Sequence, residues 1–177
     1  SVGRLNWEKN FELLIKICKK LKESTKFEFQ ITIVGDGPDF NKISEMIKKN
    51  KLEKLIYLKG ELSNDEVKDF MSNLDIYLQT SLSEGSPLTI KEAMVTPLVV
   101  ISSNVGGISN LIKNNINGFL VYKINSDFFV ETIMKVLKMR ENEINKIKKS
   151  ANKFIMANFS SSRLASTLFN YIRDTLR

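Results

Sequence analysis

The chain has 177 residues, 42% of them hydrophobic, with 27 Lys and Arg against 20 Asp and Glu, a formal net charge of +7, one cysteine and no histidine. This length fits one domain with its own core, and so large a hydrophobic fraction excludes a disordered chain. Without histidine, Ser-His-Asp and Cys-His nucleophilic schemes are excluded within the chain and zinc is disfavoured.

No apolar run approaches the ~20 residues of a membrane-spanning helix. The opening residues, Ser1-Val2-Gly3-Arg4-Leu5-Asn6, lack the apolar stretch of a signal peptide. Cys18 has no partner for an internal disulfide, which fits a reducing cytoplasm. The positive charge invites a nucleic-acid reading. However, Lys16, Lys19, Lys20, Lys48, Lys49 and Lys51 fall in helix-like segments interleaved with Glu12, Glu23 and Glu45. With no aromatic-basic motif beside them they read as solvated helix faces, and no nucleic-acid partner is expected.

In chain order, Ser1 to Arg4 reads as the end of a strand whose beginning is missing, which suggests a longer protein on the N-terminal side. Asn10 to Lys22 carries Leu13, Leu14, Ile17, Cys18 and Leu21 on one helical face, with Cys18 as a small core residue. Phe27 to Val34 is expected as a strand ending in Gly35-Asp36-Gly37-Pro38, and Asp39 to Asn50 as a helix with Phe40, Ile43, Met46 and Ile47 inward. A short strand, Leu55 to Leu58, closes at Gly60. Ser63-x-x-Glu66 opens the next helix with a capping box. Strand Asp75 to Gln79 leads through a polar loop to a helix from Pro87 to Val95. Leu98 to Ile101 is a buried-type strand. A short helix follows Gly106-Gly107, and Asn117-Gly118 turns the chain into Phe119 to Tyr122. Helices are expected over Ser126–Met139, Glu141–Asn158 and Ser160–Leu176. Strands separated by helices predict an α/β domain, a parallel sheet with helices on both faces.

In such a sheet ligands bind outside the carboxyl ends of the strands. The loops there hold most of the glycines: Gly3, Gly35 and Gly37, Gly60, Gly85, Gly106 and Gly107. The most informative stretch is Ser83 to Glu92. Ser86 as N-cap and Pro87 as first helical residue would leave amides near Ser86, Leu88 and Thr89 free to hold an anion, with the helix dipole behind them. Gly85 admits a ligand close to the backbone. Arg4 and Lys9, from the first strand's loop, suit a diphosphate. Glu84 would repel a phosphate but could accept hydrogen bonds from sugar hydroxyls, and Glu92 could reach a ribose. Taken singly, each of these residues is an ordinary surface group; the order in which they occur is what carries information.

That order resembles the donor-binding half of retaining glycosyltransferases of the GT-B fold, most closely glycosyltransferase family four (glycosyl transferases group 1). The matching stretches are Val2-Gly3-Arg4-Leu5 with Lys9-Asn10, Ile33-Val34-Gly35-Asp36-Gly37-Pro38, Leu58-Lys59-Gly60, Ser81-x-x-Glu84-Gly85-x-Pro87, Glu92-Ala93-Met94, Gly106-Gly107 and Asn117-Gly118-Phe119-Leu120-Val121. Glu84 and Glu92 form the family's E-x7-E pair. The resemblance implies a Rossmann-like domain over residues 1–177 that binds a nucleotide-sugar such as a UDP-, GDP- or ADP-sugar. The family's N-terminal acceptor domain is absent from this chain.

By position, the resemblance gives Arg4, Lys9 and Glu84 the catalytic roles, with Arg4 and Lys9 on the diphosphate and Glu84 on the transferred sugar. Gly3, Gly35, Gly37, Gly85, Ser86, Leu88 and Thr89 surround phosphates and sugar, Glu92 holds the ribose and the Gly60–Leu62 edge faces the base. It implies a hexosyltransferase-type reaction with retention of configuration and without metal or other cofactor. Leaving-group charge is then met by cations and helix-end amides, and the two glutamates are binders rather than a double-displacement pair. A cytoplasmic protein is implied. A membrane-associated acceptor, met at the inner face of a membrane through the N-terminal half, is compatible with it. A non-catalytic nucleotide-sugar-binding or regulatory module of the same fold is the alternative. Three departures stand out: Val95-Thr96-Pro97-Leu98 lacks the family's glycine and is one residue shorter, Ser109-Asn110 replaces a common Pro-Glu, and Ser86 stands where an aromatic is frequent.

Overall fold

Short β-branched runs bounded by glycine and helical stretches with one apolar face resolve, in a computed structural model that describes residues 1–159, into alternating strands and helices. The strands are β1 (Ile31–Val34), β2 (Ile56–Gly60), β3 (Ile76–Gln79), β4 (Val99–Ser103) and β5 (Phe119–Val121). The helices are α1 (Phe11–Ser24), α2 (Phe40–Lys49), α3 (Asn64–Ser72), α4 (Leu88–Val95), α5 (Ile108–Leu111), α6 (Ser126–Leu137) and α7 (Glu141–Phe159), and a 3-10 turn spans Trp7–Lys9. The helix expected over Ser160–Leu176 lies outside the described residues.

All strand pairs are parallel. β1 pairs with β2, Ile31 facing Ile56, while β3, β4 and β5 form a second sheet in that order, with Ile76 facing Val99 and Ile101 facing Phe119. The N-terminal stretch lies between the two. Val2 bridges Val34 in parallel, the Val34 amide donating to the Ser1 carbonyl at 2.9 Å and the Gly3 amide to the Val34 carbonyl at 2.9 Å. On the other side, the Tyr77 hydroxyl of β3 lies 3.1 Å from the Val2 carbonyl. Every strand therefore points its carboxyl end, and the loop that follows, to one edge.

Strand alternation divides the core into two layers. Val99 and Ile101 of β4 face a layer with Leu14 and Ile17 of α1 and Phe129 and Ile133 of α6. Val100 faces the other, with Ile90 and Met94 of α4, Met71 of α3 and Ala151 and Ile155 of α7. Helices thus cover both faces, as the alternating pattern predicts. Cys18 sits fully buried in the first layer. Burial pushes its thiol up to about 11, against a small opposing pull from Lys22, so it behaves as a small apolar residue. Burying each Leu or Ile of these layers stabilises the fold by ~1.5–3 kcal/mol.

Several boundaries differ from the sequence reading; β2, for one, runs Ile56–Gly60 rather than Leu55 to Leu58. β1 begins at Ile31, not Phe27; Phe27 is exposed and residues 27–30 form no strand. At the other end of the expected Leu98–Ile101 strand, β4 runs on to Ser103. The capping box is present: Ser63 accepts from the Glu66 amide, and the Glu66 carboxylate takes the Ser63 amide at 2.8 Å. The missing glycine after α4 is met by Thr96, whose hydroxyl donates to the Ala93 carbonyl at 2.7 Å in extended backbone, and by Asn152 of α7, whose amide donates to the Val95 carbonyl at 3.0 Å.

Candidate donor site at the carboxyl edge

The loop from β3 to α4 is held from below by the N-terminal turn. The Leu82 amide donates to the Glu8 carbonyl at 2.7 Å, and the Thr80 hydroxyl reaches the Lys9 and Asn10 carbonyls at 3.0 and 3.2 Å. The Ser103 hydroxyl, from β4, donates to the Ser81 carbonyl at 2.6 Å. The turn itself is shaped by Asn6, whose side chain accepts from the Lys9 amide, and by Asn10, which takes the left-handed conformation at φ 52°. Asparagine tolerates this conformation better than most residues.

These anchors bring together two groups 75 residues apart. Lys9 Nζ lies 2.7 Å from Glu84 Oε1, and the two side chains are 22% and 8% exposed. The same carboxylate oxygen accepts from the Ser81 hydroxyl at 2.6 Å and from the Gln79 amide nitrogen. Gln79 Nε2 also donates to Ser81 Oγ at 2.8 Å, and the Tyr77 hydroxyl donates to Gln79 Oε1 at 2.7 Å. Glu84 Oε2 takes no hydrogen bond from the described residues and is not shut away from solvent. The site thus offers one saturated carboxylate oxygen and one open one.

Burial pushes the Tyr77 phenol well above its ordinary value. Hydrogen bonding with Thr89 and with the Val2 backbone opposes that shift, and the charges of Glu84 and Glu92 add to it. The hydroxyl therefore stays a donor across the physiological range. Both glutamates thus lie within electrostatic range of one buried oxygen.

Close backbone packing sets the loop positions. A Cβ on Gly106, at φ +50°, would lie 1.7 Å from the Glu84 carbonyl oxygen, and one on Gly107 2.2 Å from that of Gly85. The Gly107 amide donates to the Glu84 carbonyl at 3.2 Å. On the opposite flank, a Cβ on Gly35 would lie 2.0 Å from the Gly3 carbonyl oxygen, and one on Gly37 2.5 Å from that of Leu5. Gly3 in turn lies against the methylene stem of Lys9. Gly85 faces open space, with nothing within 4 Å of its Cβ direction.

The remaining expected residues divide. Arg4 is exposed beside the same turn and makes no ion pair among the described residues. Leu88 is exposed, while Thr89 and Glu92 are half-buried on α4. Ser86 does not cap α4. Pro87 is the N-cap, no side chain caps the helix, and the Ser86 hydroxyl takes Lys91 Nζ at 2.9 Å instead. Pro87, at φ −67° and ψ 108°, is in extended backbone, so it ends the loop here rather than beginning the helix. The first-turn amides of Leu88 and Thr89 are left without a side-chain cap, as an anion site requires. Leu62 packs against the second core layer and lines a small pocket with Lys59, Glu66 and Phe70. A cavity of about 1150 Å³ opens at the opposite edge, among Gln30, Thr32, Asp75 and Ile76 at the amino ends of the strands, and none of the residues above lines it.

Tyr77 and Gln79 escaped the sequence reading. Their signal was present: two polar groups at period two lie on one face of a strand, and Ser81, in the loop that follows, continues the alternation.

The glycosyl transferases group 1 family matches residues 1–154. The chain belongs to the glycosyl transferases group 1. It is 34% identical over 126 residues to the amylovoran biosynthesis glycosyltransferase AmsK of Erwinia amylovora, a match covering 68% of this chain and 31% of AmsK. The C-terminal domain of the group 1 protein LpcC from Francisella tularensis superposes with a TM-score of 0.78 at 19% identity, covering 90% of this chain and 85% of that one. Anabaena HepE in complex with UDP-glucose superposes with a TM-score of 0.81 at 21% identity, covering 96% of this chain and 48% of HepE. The fold is thus the C-terminal, Rossmann-like half of GT-B. The chain spans between 25% and 41% of the length of the first curated relatives it matches. No helix among the described residues is long and apolar enough to cross a membrane.

Proposed function

We propose that this group 1 domain binds the donor of a retaining, hexosyl-transferring glycosyltransferase, a UDP-, GDP- or ADP-sugar. The observation that carries the reading is the Lys9–Glu84 pair, its glutamate in the loop that leads into the uncapped first turn of α4, with Glu84 Oε2 open. The diphosphate lies on the Leu88 and Thr89 amides between Arg4 and Lys9, where helix-end partial charge and two cations balance it. Lys9 has three donors and can serve Glu84 Oε1 and a phosphate oxygen together. Glu84 Oε2 accepts from a hydroxyl of the transferred sugar. Glu92, in the second turn of α4, takes the ribose, and Gly85 leaves the backbone approachable.

In transfer, charge builds on the departing diphosphate. Arg4, Lys9 and the α4 amides meet it without reorganising, as preorganised donors do, and no metal is needed. The AmsK and HepE matches support the reaction class and the nucleotide-sugar. Calorimetric titration with UDP, GDP, ADP and their glucose and N-acetylglucosamine derivatives, with and without chelator, tests the reading. Binding of one nucleotide and its sugar, unchanged by the chelator, is expected; no binding to any would overturn it.

A further inference from the structure

We propose that Tyr77 and Gln79 are positioning residues, which fix the rotation of the Glu84 carboxylate so that Oε2 is presented to the donor sugar. The inference rests on the reading of Glu84 as the sugar contact.

The chemistry fixes the direction of every bond in the chain. An ionised carboxylate only accepts, so the amide nitrogen of Gln79 must face Glu84. Its two N–H groups go to Glu84 Oε1 and to Ser81 Oγ, 2.8 Å away. Ser81 then gives its own proton to Glu84 Oε1 at 2.6 Å. Gln79 Oε1 is left facing the Tyr77 hydroxyl at 2.7 Å, which must donate to it. The orientation of Gln79 is therefore set from both ends.

All three residues are buried: Tyr77 and Ser81 are 0% exposed and Gln79 2%. Buried polar groups cost stability unless paired, and apolar residues of similar volume would fill a strand interior as well or better. The fold alone does not call for this chain. It ends on one oxygen of one carboxylate, and it issues from a strand, whereas Lys9 reaches that oxygen on a flexible four-carbon stem. Lys9 alone would leave the carboxylate free to rotate; the Ser81 hydroxyl, itself oriented by Gln79, and the Gln79 amide hold it from β3 and the loop that follows in one orientation.

The test compares affinity for UDP-glucose or UDP-N-acetylglucosamine, whichever the wild-type chain binds, or the GDP or ADP counterpart, with affinity for the free nucleoside diphosphate. Gln79→Met keeps the volume and Tyr77→Phe removes only the hydroxyl. Gln79→Met is expected to weaken the nucleotide-sugar about tenfold and Tyr77→Phe about threefold, with the free diphosphate within about twofold. The sugar-specific loss should vanish in a Glu84→Ala background, since the residues act through that carboxylate. A purely structural role moves the melting temperature but not this ratio. An unchanged ratio in both variants, or an equal loss without Glu84, would overturn the inference; should Gln79→Met fail to fold, Tyr77→Phe decides alone. If Glu84→Ala itself leaves the ratio unchanged, the sugar contact is wrong and the positioning role falls with it.

Discussion

At the scale of residues, the two glutamates and the two cations separate by experiment. Glu84→Gln removes the charge opposite the sugar and frees Lys9 from its ion pair, so affinity for nucleotide-sugar falls while affinity for the free diphosphate holds or rises. Glu92→Gln weakens both ligands alike, because both carry the ribose. Each lost charged hydrogen bond is worth ~1.5–3 kcal/mol, about 10- to 150-fold in Kd. Isothermal titration of both variants with both ligands checks this, and equal weakening of the two ligands by Glu84→Gln would count against it. Arg4→Ala and Lys9→Ala should each weaken the diphosphate over the same range, yet differ in stability. Arg4 is exposed, so its loss leaves denaturant unfolding unchanged. Loss of Lys9 leaves the Glu84 charge, whose side chain is 8% exposed, with only the neutral donors of Ser81 and Gln79. That should cost about 3 kcal/mol, the lower edge for breaking a buried pair because Lys9 keeps some contact with water. Identical unfolding midpoints for the two variants would show the pair to be inconsequential.

At the scale of elements, two loops and one helix make the site, and their glycines divide by role. Gly106→Ala puts a Cβ into the Glu84 carbonyl at a left-handed φ and should destabilise the chain by more than ~1 kcal/mol. Gly85→Ala meets nothing within 4 Å. It should leave the melting temperature in place and weaken nucleotide-sugar binding, because only the ligand needs that space; unchanged binding would remove Gly85 from the site. The order of elements was legible because apolar periodicity switches between strand and helix at glycine-marked turns. The capping box at Ser63 was legible because it is local. The end of the loop before α4 was not, since Ser86-Pro87 matches the local rule for a cap followed by a first helical proline, and what overrides it is the extended ψ of Pro87 and the pull of Lys91 on the Ser86 hydroxyl. Phe27–Gln30 has strand-like composition, but whether a run pairs depends on a neighbour distant in sequence. The Lys9–Glu84 contact lay beyond reach for the same reason. Each residue could be picked as a binder, but their mutual pairing is a product of the turn at Asn6–Asn10 meeting the loop at Thr80–Leu82.

At the scale of the whole molecule, parallel topology gathers every strand-ending loop at one edge, and the N-terminal stretch ties the two sheets together there. The chain spans less than half the length of the first relatives it matches. Transfer needs an acceptor held against the donor, a positional effect worth ~7–11 kcal/mol of barrier. The 177-residue chain is therefore expected to bind nucleotide-sugar and to transfer sugar poorly or not at all by itself. Transfer should appear when an acceptor-binding half is joined upstream. Efficient transfer by the isolated chain, followed by release of nucleoside diphosphate, would refute this.

The chain has a single tryptophan, and it stands in the 3-10 turn two residues before Lys9, 68% exposed. That turn is stitched to the loop that carries Glu84 through the Glu8–Leu82 hydrogen bond. The molecule therefore carries one indole fluorophore, set beside its candidate site and excited apart from the four tyrosines at the red edge of absorption. Its emission should shift to the blue, or be quenched, as nucleotide-sugar fills the site, giving an unlabelled optical titration of occupancy; a flat signal across a titration that calorimetry shows to be saturating would place the ligand away from this turn.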